Sequence, residues 1–447
     1  GSVSGYLQHL AMWPGHPGSC SSPIVAEGRV FASSFRAAGE AWAENTPGLG
    51  QKTAEYTEEE QRQLKQNLRI EADDLTVAID LATGKTLWEA VEPLKGLNRY
   101  MGKREGFGAS PAYGEGKVFS IGSAGRLYAY NADSGEKLWE TDLGVAHQRM
   151  LAARLKALEE KKLVNDFGWN AGLVFAGGVL VAPLFDHAVD MGLRGLNPAS
   201  GETLWELPAA ISRYATPALF RHEGKEYLLT ATRAGTLGLI EPKSGEVLWK
   251  VEGLQPNYES LAPSETHVLV NVGSKKAESK DAPLGLPACY RISPAGVEFA
   301  WRMPDEPAFW YENHMDSCAR RRVQVRDGRF YYFSANKATG ERLNTFSIFD
   351  QETGRVLHST HDIPGDSLAY LAEDRLLHVI DASHSDRLTL ELATLDPEDF
   401  RILGPAWKPP HESTTAYEVF MEYPLVDGRL LMRTRAGDIR CYDLRAR

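Results

Sequence analysis

Five times the chain spells nearly the same eleven letters, and no other feature limits its fold so tightly. AIDLATGKTLW runs from Ala78 to Trp88, and the pattern returns as AYNADSGEKLW ending at Trp139, GLNPASGETLW ending at Trp205 and LIEPKSGEVLW ending at Trp249. A fainter copy, IFDQETGRVLH, ends at His358. Each copy opens with alternating residues, as in Arg126-Leu127-Tyr128-Ala129-Tyr130, which suits a strand with one buried face. A polar turn follows, in which Asn, Asp and Ser can bond the nearby backbone and Gly135 can take positive φ. A second strand then delivers a large aromatic. The unit is a β-hairpin.

A second hairpin lies upstream of several copies. SSPIVAEGRVFASS (Ser21 to Ser34) matches ASPAYGEGKVFSIGS (Ala109 to Ser123), ATPALFRHEGKEYLLTAT begins at Ala215, and NAGLVFAGGVLVAP begins at Asn170. Together the halves make four antiparallel strands in roughly 45 residues, the unit of a β-propeller blade. A lone blade cannot bury both faces, so each terminal Trp is expected to pack on the neighbouring blade rather than to meet a ligand. First strands are expected near Ser22, Ser110, Ala171, Thr216, Leu261, Arg321, Ala369 and Tyr423. That makes an all-β, single eight-bladed propeller over residues 1–447, with seven blades as the fallback. The last hairpin stops at Asp443-Leu444, and residues near Tyr6 to Trp13 could supply its missing strand and close the ring.

Two segments do not fit a blade. Tyr56 to Arg69 opens with Thr57 and Glu60 in capping-box spacing. His147 to Leu163 places Met150, Leu151, Leu155 and Leu158 at helical intervals. Both are expected to be helical insertions in blade loops.

The net charge of −11 argues against nucleic acid as a partner, since that binding needs Lys and Arg to neutralise phosphates. Arg320-Arg321-Arg322 is a short basic patch, best read as solvated or locally paired. No apolar run is long enough to span a membrane. Cys20, Cys289, Cys318 and Cys441 form no CxxC motif, and spacing leaves any pairing open. GxSxG, HExxH, P-loop and Rossmann fingerprints are all missing from the sequence.

Ala78 to Trp88 fits the tryptophan-docking pattern A-x-D-x-x-T-G-x-x-x-W at every defined position, and the chain resembles the PQQ-like, or quinoprotein-like, β-propeller repeat family along essentially its whole length. That family includes PQQ-dependent dehydrogenases, the outer-membrane assembly lipoprotein BamB and many secreted proteins of unassigned role. The resemblance implies a periplasmic or extracellular location. The dehydrogenases share a vicinal Cys-Cys disulfide and a Ca²⁺ site in the cofactor pocket. This chain has no adjacent cysteines and no stretch that matches that ligand set, so PQQ with calcium is not expected.

Residues just before each first strand are expected to ring the central channel. They include His16, Arg104, Asp166, Trp169, Asn170, Arg213, Asn257, Asp316 and Asp366 as ligand-binding candidates. Tyr214, Tyr258, Glu259 and His314 are the catalytic candidates. Aromatics offer faces to sugar rings, arginines can grip carboxylate or sulfate, and His or Tyr beside a carboxylate can move protons. His187, Asp190, His314 and Asp316 are the residue types that could hold a divalent metal. Polar rim loops are also what any propeller needs to solvate channel backbone. Two functions follow: a propeller that binds a ligand or partner protein on its channel face, or a carbohydrate-active lyase or hydrolase at the same rim. The partner is accordingly a protein or an oligosaccharide, with no nucleic acid and no membrane span.

Overall fold

Two kinds of turn set one end of most blades. A two-residue hairpin between right-twisted strands needs positive φ at both central positions. The sequence places Glu27-Gly28, Glu115-Gly116, Gly177-Gly178, Glu223-Gly224, Asp327-Gly328 and Asp427-Gly428 there, and all take positive φ in the computed structural model. The second kind is the D-x-x-T-G turn. Asp80 Oδ1 accepts from both the backbone N–H and the hydroxyl of Thr83 at 2.7 Å, and Asp350 does the same for Thr353 at 2.9 and 2.7 Å. Those bonds hold both carboxyls below the usual carboxylate range. Asn131 and Asn197 make the equivalent turn through backbone donors.

The structure describes residues 21–41, 69–97, 109–143, 171–184, 190–212, 215–256, 260–274, 284–312, 323–336, 343–360, 368–372, 375–380, 389–409, 423–433 and 439–445. They form eight antiparallel sheets, each a meander of successive strands. These are numbered blades 1 to 8 in chain order. Seven sheets have four strands and the last, among the described residues, has three. First strands such as Ile24–Ala26, Ala112–Gly114, Val174–Ala176 and Ala218–His222 begin within a few residues of the expected places. Blade 5 departs from the pattern. Its SETH turn has no glycine, closes through Ser264 N donating to His267 O at 2.8 Å, and leaves residues 260–266 outside the ladder. A short strand, Tyr311–Glu312, pairs instead with Leu284 and Gly285.

The core is a succession of inter-blade seams. Phe31 and Ala78 meet Val118 and Tyr130 across seam 1–2, and one large cluster carries on through blades 2, 3 and 4. Leu229 meets Val268, Leu286 meets Phe330, Phe346 meets Leu376, and Leu377 meets Leu430 across the next four seams. Val30 and Leu81 of blade 1 then pack with Leu431 of blade 8. The ring is closed, with eight blades. The tryptophans pack as expected. Trp88, Trp139, Trp205 and Trp249 donate their indole N–H to Ala132, Pro198, Pro242 and Ser293 carbonyls of the following blade at 2.8–3.1 Å. Trp301 in blade 5, outside the repeat pattern, does the same to Gln351. The turn glycine of the next blade lies under the first three of these rings: a Cβ on Gly135, Gly201 or Gly245 would stand within 2.7 Å of Trp88, Trp139 or Trp205.

Seam 6–7 is built differently, because its hairpin ends in His358. The carbonyl at the docking position, Leu395 O, accepts from the hydroxyl of Tyr331 at 3.4 Å. His358 lies 4.5 Å from the Phe400 ring, with Nε2 buried and no hydrogen bond to it among the described residues. Burial lowers its pKa below the ordinary 6.5. The unfolded chain therefore takes up the proton first, so the contribution is complete above about pH 6.5 and fades as the pH falls towards the folded pKa. His358→Phe is expected to flatten the acid loss of stability by at most about 1.4 kcal/mol per pH unit, measured as urea unfolding at pH 7.5 and 5.5. An unaltered slope would assign the loss elsewhere. Buried His267 is shifted the same way, by burial against the opposing pull of Glu352 at 3.6 Å, so some slope should remain.

Both expected helical insertions fall almost wholly outside the described residues. Their overlap is Arg69, which opens the strand Arg69–Asp80 and so belongs to the sheet. Cys289 is a free thiol in seam 5–6, pushed up to about 12 by burial, and Cys441 is free and exposed.

Candidate functional site

Each blade has two chemically different ends. At one, the D-x-x-T-G turn bonds back to the glycine hairpin: Leu81 N to Gly28 O at 2.9 Å, Ala132 N to Gly116 O at 3.0 Å, Gln351 N to Gly328 O at 2.9 Å. At the other, the exit of the fourth strand bonds to the connection between strands two and three: Leu143 N to Gly125 O at 3.2 Å and Leu254 N to Gly235 O at 3.0 Å. From this second end, the channel face, the chain passes from blade to blade.

All the sequence candidates belong to connections that leave from this end. His16 precedes blade 1, and Arg104 falls between blades 1 and 2. Asp166, Trp169 and Asn170 precede blade 3, Arg213 and Tyr214 precede blade 4, and Asn257, Tyr258 and Glu259 precede blade 5. His314 and Asp316 lie between blades 5 and 6, Asp366 between 6 and 7, and His187 between two strands of blade 3. All of these lie outside the described residues, while their anchors on the sheets are described.

Asp190 is the candidate that the structure describes. It opens the strand Asp190–Leu196 in blade 3 and is buried. Its Oδ1 accepts from Arg233 N at 2.5 Å and its Oδ2 from Ala234 N at 3.1 Å, both in blade 4. The carboxylate thus clasps one blade to the next. Among the described residues, no three His, Cys, Asp or Glu side chains group as a metal site would require.

An equivalent clasp at seam 1–2 was not anticipated from the sequence. Asp74 accepts from Ser123 N and Ser123 Oγ at 2.8 Å and from the Tyr128 hydroxyl at 3.0 Å. A Cβ on Gly122 would overlap the Asp74 carboxylate, so the clasp requires glycine there. Nearby, Tyr130 donates to Glu92 at 3.2 Å, and Lys137 reaches the other oxygen of Glu92 at 2.8 Å. Burial first, then the Asp74 and Glu92 charges, drive the Tyr128 and Tyr130 hydroxyls far above their usual pKa. Both phenols therefore stay protonated and serve as fixed donors. Alternation in this strand does not signal the clasp, because the large apolar residues Leu75, Val77 and Ile79 fall on the face opposite Asp74.

Below the rim a belt of hydroxyls joins the blades. Ser22 N donates to Ser110 Oγ at 3.1 Å, Gly172 N to Thr216 Oγ1 at 2.8 Å, and Thr216 N to Ser260 Oγ at 3.2 Å. Blade 3 has Gly172 at this position, and seam 2–3 uses Leu173 N to Ser110 O at 3.1 Å instead. Ser or Thr at the start of blades 1, 2, 4 and 5 was the visible trace of this belt. The clasps and belt hold the channel end rigid and spend their polar atoms on neighbouring blades.

The family model described as outer membrane protein assembly factor BamB matches residues 72–260 and, overlapping, residues 189–280. Tetrathionate hydrolase from Acidithiobacillus ferrooxidans is 21% identical over 287 residues, which is 61% of this chain and 50% of that protein. The chain thus spans half the length of this curated relative. BamB from Moraxella catarrhalis has a similar structure, with a TM-score of 0.52 at 10% identity over 83% of this chain and 91% of its own. Quinohemoprotein alcohol dehydrogenase from Comamonas testosteroni gives 0.50 at 11% identity over 94% and 71%. At these identities the structural likenesses establish the fold.

Proposed function

Since this chain is a β-propeller of the PQQ-like repeat family, we propose that it binds a ligand or partner protein on its channel face. One observation carries the reading. The seams absorb the tryptophans, the buried carboxylates and the inner hydroxyls, while Arg104, Arg213, Tyr214, Tyr258 and the neighbouring carboxylates all belong to connections leaving one end. A rigid scaffold with functional loops at one face is the usual division of labour. The description of the matched family as an assembly factor supports a protein partner and a periplasmic or extracellular location. No helix among the described residues is long and apolar enough to cross a membrane.

The likeness to tetrathionate hydrolase supports a second reading, an enzyme that hydrolyses an anionic substrate at the same rim. Arg104 and Arg213 would hold the anion, and Glu259 or His314 would take a proton from the attacking water. A glycan lyase or hydrolase would use the same groups with the aromatics as sugar platforms. The sequence has no adjacent cysteines, and no step is routed through PQQ and calcium.

Thermal shift tests the site. A ligand at 100 times its Kd adds about 2.7 kcal/mol, or roughly 3 °C for a chain of this size unfolding as one unit. Tetrathionate, acidic oligosaccharides or a purified partner should produce that shift, and Arg213→Ala should abolish it while leaving the unliganded Tm within about 1 °C. Binding that survives Arg213→Ala and Tyr214→Ala together would move the site off this face. Product release from tetrathionate, lost in Glu259→Gln or His314→Ala, would select the enzyme.

A further inference from the structure

Seam 4–5 holds a polar side chain that packing has not satisfied. Gln255 follows the last strand of blade 4, Val247–Val251, and its backbone N–H donates to Asn271 O of blade 5 at 3.0 Å. Its amide lies over two facing glycines, Gly273 and Gly285, which are partners in the ladder. A Cβ on Gly273 would stand 2.8 Å from Gln255 Nε2, and one on Gly285 would stand 3.1 Å from Asn271 Cβ. Two glycines thus clear the space in which both amides sit. Gln255 Oε1 is buried and accepts no hydrogen bond among the described residues.

The residue borders a cavity of about 40 Å³ at the channel end of the seam, lined also by Thr236, Ser260 and Asn271 among apolar side chains. None of the described lining residues is charged. Asn271 Oδ1 is taken by the Tyr332 hydroxyl at 3.3 Å, which leaves the Asn271 NH2 as a donor. Ser260 Oγ accepts Thr216 N at 3.2 Å and keeps its own proton to give. One acceptor and two donors complement a hydroxyl group, which donates once and accepts up to twice. Among the described lining residues a cation finds no carboxylate, and an anion faces the Gln255 oxygen with no positive charge. A water needs about 10–15 Å³ of such space, so the cavity admits a hydroxymethyl group and excludes a whole sugar ring.

We infer that this notch is a subsite for a single hydroxyl or hydroxymethyl group of a neutral polyol or sugar presented at the channel face. The inference rests on the channel-face reading and narrows it to an uncharged, hydroxyl-bearing ligand at one seam. Gln255→Met keeps the volume, removes the acceptor and relieves an unpaired buried oxygen, so the variant should fold at least as well as the parent. Saturation-transfer NMR with methyl glucoside on the full chain should show saturable binding, weakened at least tenfold in Gln255→Met and unaltered in Lys243→Ala, an exposed site in the turn at the opposite end of blade 4. Equal binding by Gln255→Met, or no saturable binding of methyl glucoside, overturns the subsite. If methyl glucoside fails while glucuronate binds and is lost in Arg213→Ala, the subsite falls and the channel-face reading stands. If neither sugar nor tetrathionate binds and no partner responds to Arg213→Ala, both fall.

Discussion

Trp205→Ala is expected to remove about 3 kcal/mol of folding stability, and Trp205→Phe only about 1 kcal/mol. The indole of Trp205 lies across seam 3–4, over Gly245, and donates its N–H to Pro242 O at 2.8 Å. Truncation to Ala empties a slab shaped by two glycines: a Cβ on Gly195 or Gly245 would stand within 2.5 Å of the ring, so neither position can supply atoms to refill the gap. Phenylalanine keeps most of the apolar contact and gives up the hydrogen bond. Urea unfolding of the three proteins measures both differences. Equal losses for Ala and Phe would make the hydrogen bond, rather than ring packing, the source of the docking energy.

The second large effect is expected at Arg433. This side chain is 2% exposed, among the largest fully buried groups, and lies in the strand Arg429–Arg433 of blade 8. Its Nη1 donates to Ser21 O at 3.0 Å and Ser33 O at 2.9 Å, both in blade 1. Ser33 then passes the contact on, its hydroxyl donating to Ala109 O of blade 2 at 3.2 Å. Arg433→Met withdraws the donor from two buried carbonyls, and about 3 kcal/mol of stability should be lost. Arg433→Lys keeps the charge without the planar fork and should fall between. Hydrogen exchange can locate the loss: amides of blades 1 and 8 should open first, with blade 4 little altered. Acceleration spread evenly round the ring would deny Arg433 a special part in closure.

Most of this architecture was legible because each blade repeats a physical problem and solves it with the same letters. The glycine hairpins, the D-x-x-T-G turns and the tryptophans identified blades 1 to 4 outright. Legibility faded where a blade solved the problem by other means. Trp301 follows its turn glycine by five residues where Trp88 follows Gly84 by four, and no pattern flagged it. Blade 6 divides the tryptophan's work between His358 and Tyr331, which are far apart in sequence. Clasps such as Asp74 with Ser123 join residues 49 positions apart, a relation that composition and periodicity do not carry. The rim candidates came from counting back from first strands, so their common end follows from topology. Their chemistry is written in loop sequences that obey no period.

The two ends of each blade also divide the protein's evolutionary freedom. Tryptophan and turn glycine are locked to one another across a seam, so a change in either is felt by a second blade and the motif stays recognisable through divergence. Apart from the clasps made by Asp74 and Asp190, the connections at the opposite end can be lengthened or respelled without disturbing the indole contacts. Drift is therefore freer in those connections, while the spelling that marks kinship is preserved at the seams. A scaffold of this kind advertises its ancestry far more clearly than its trade.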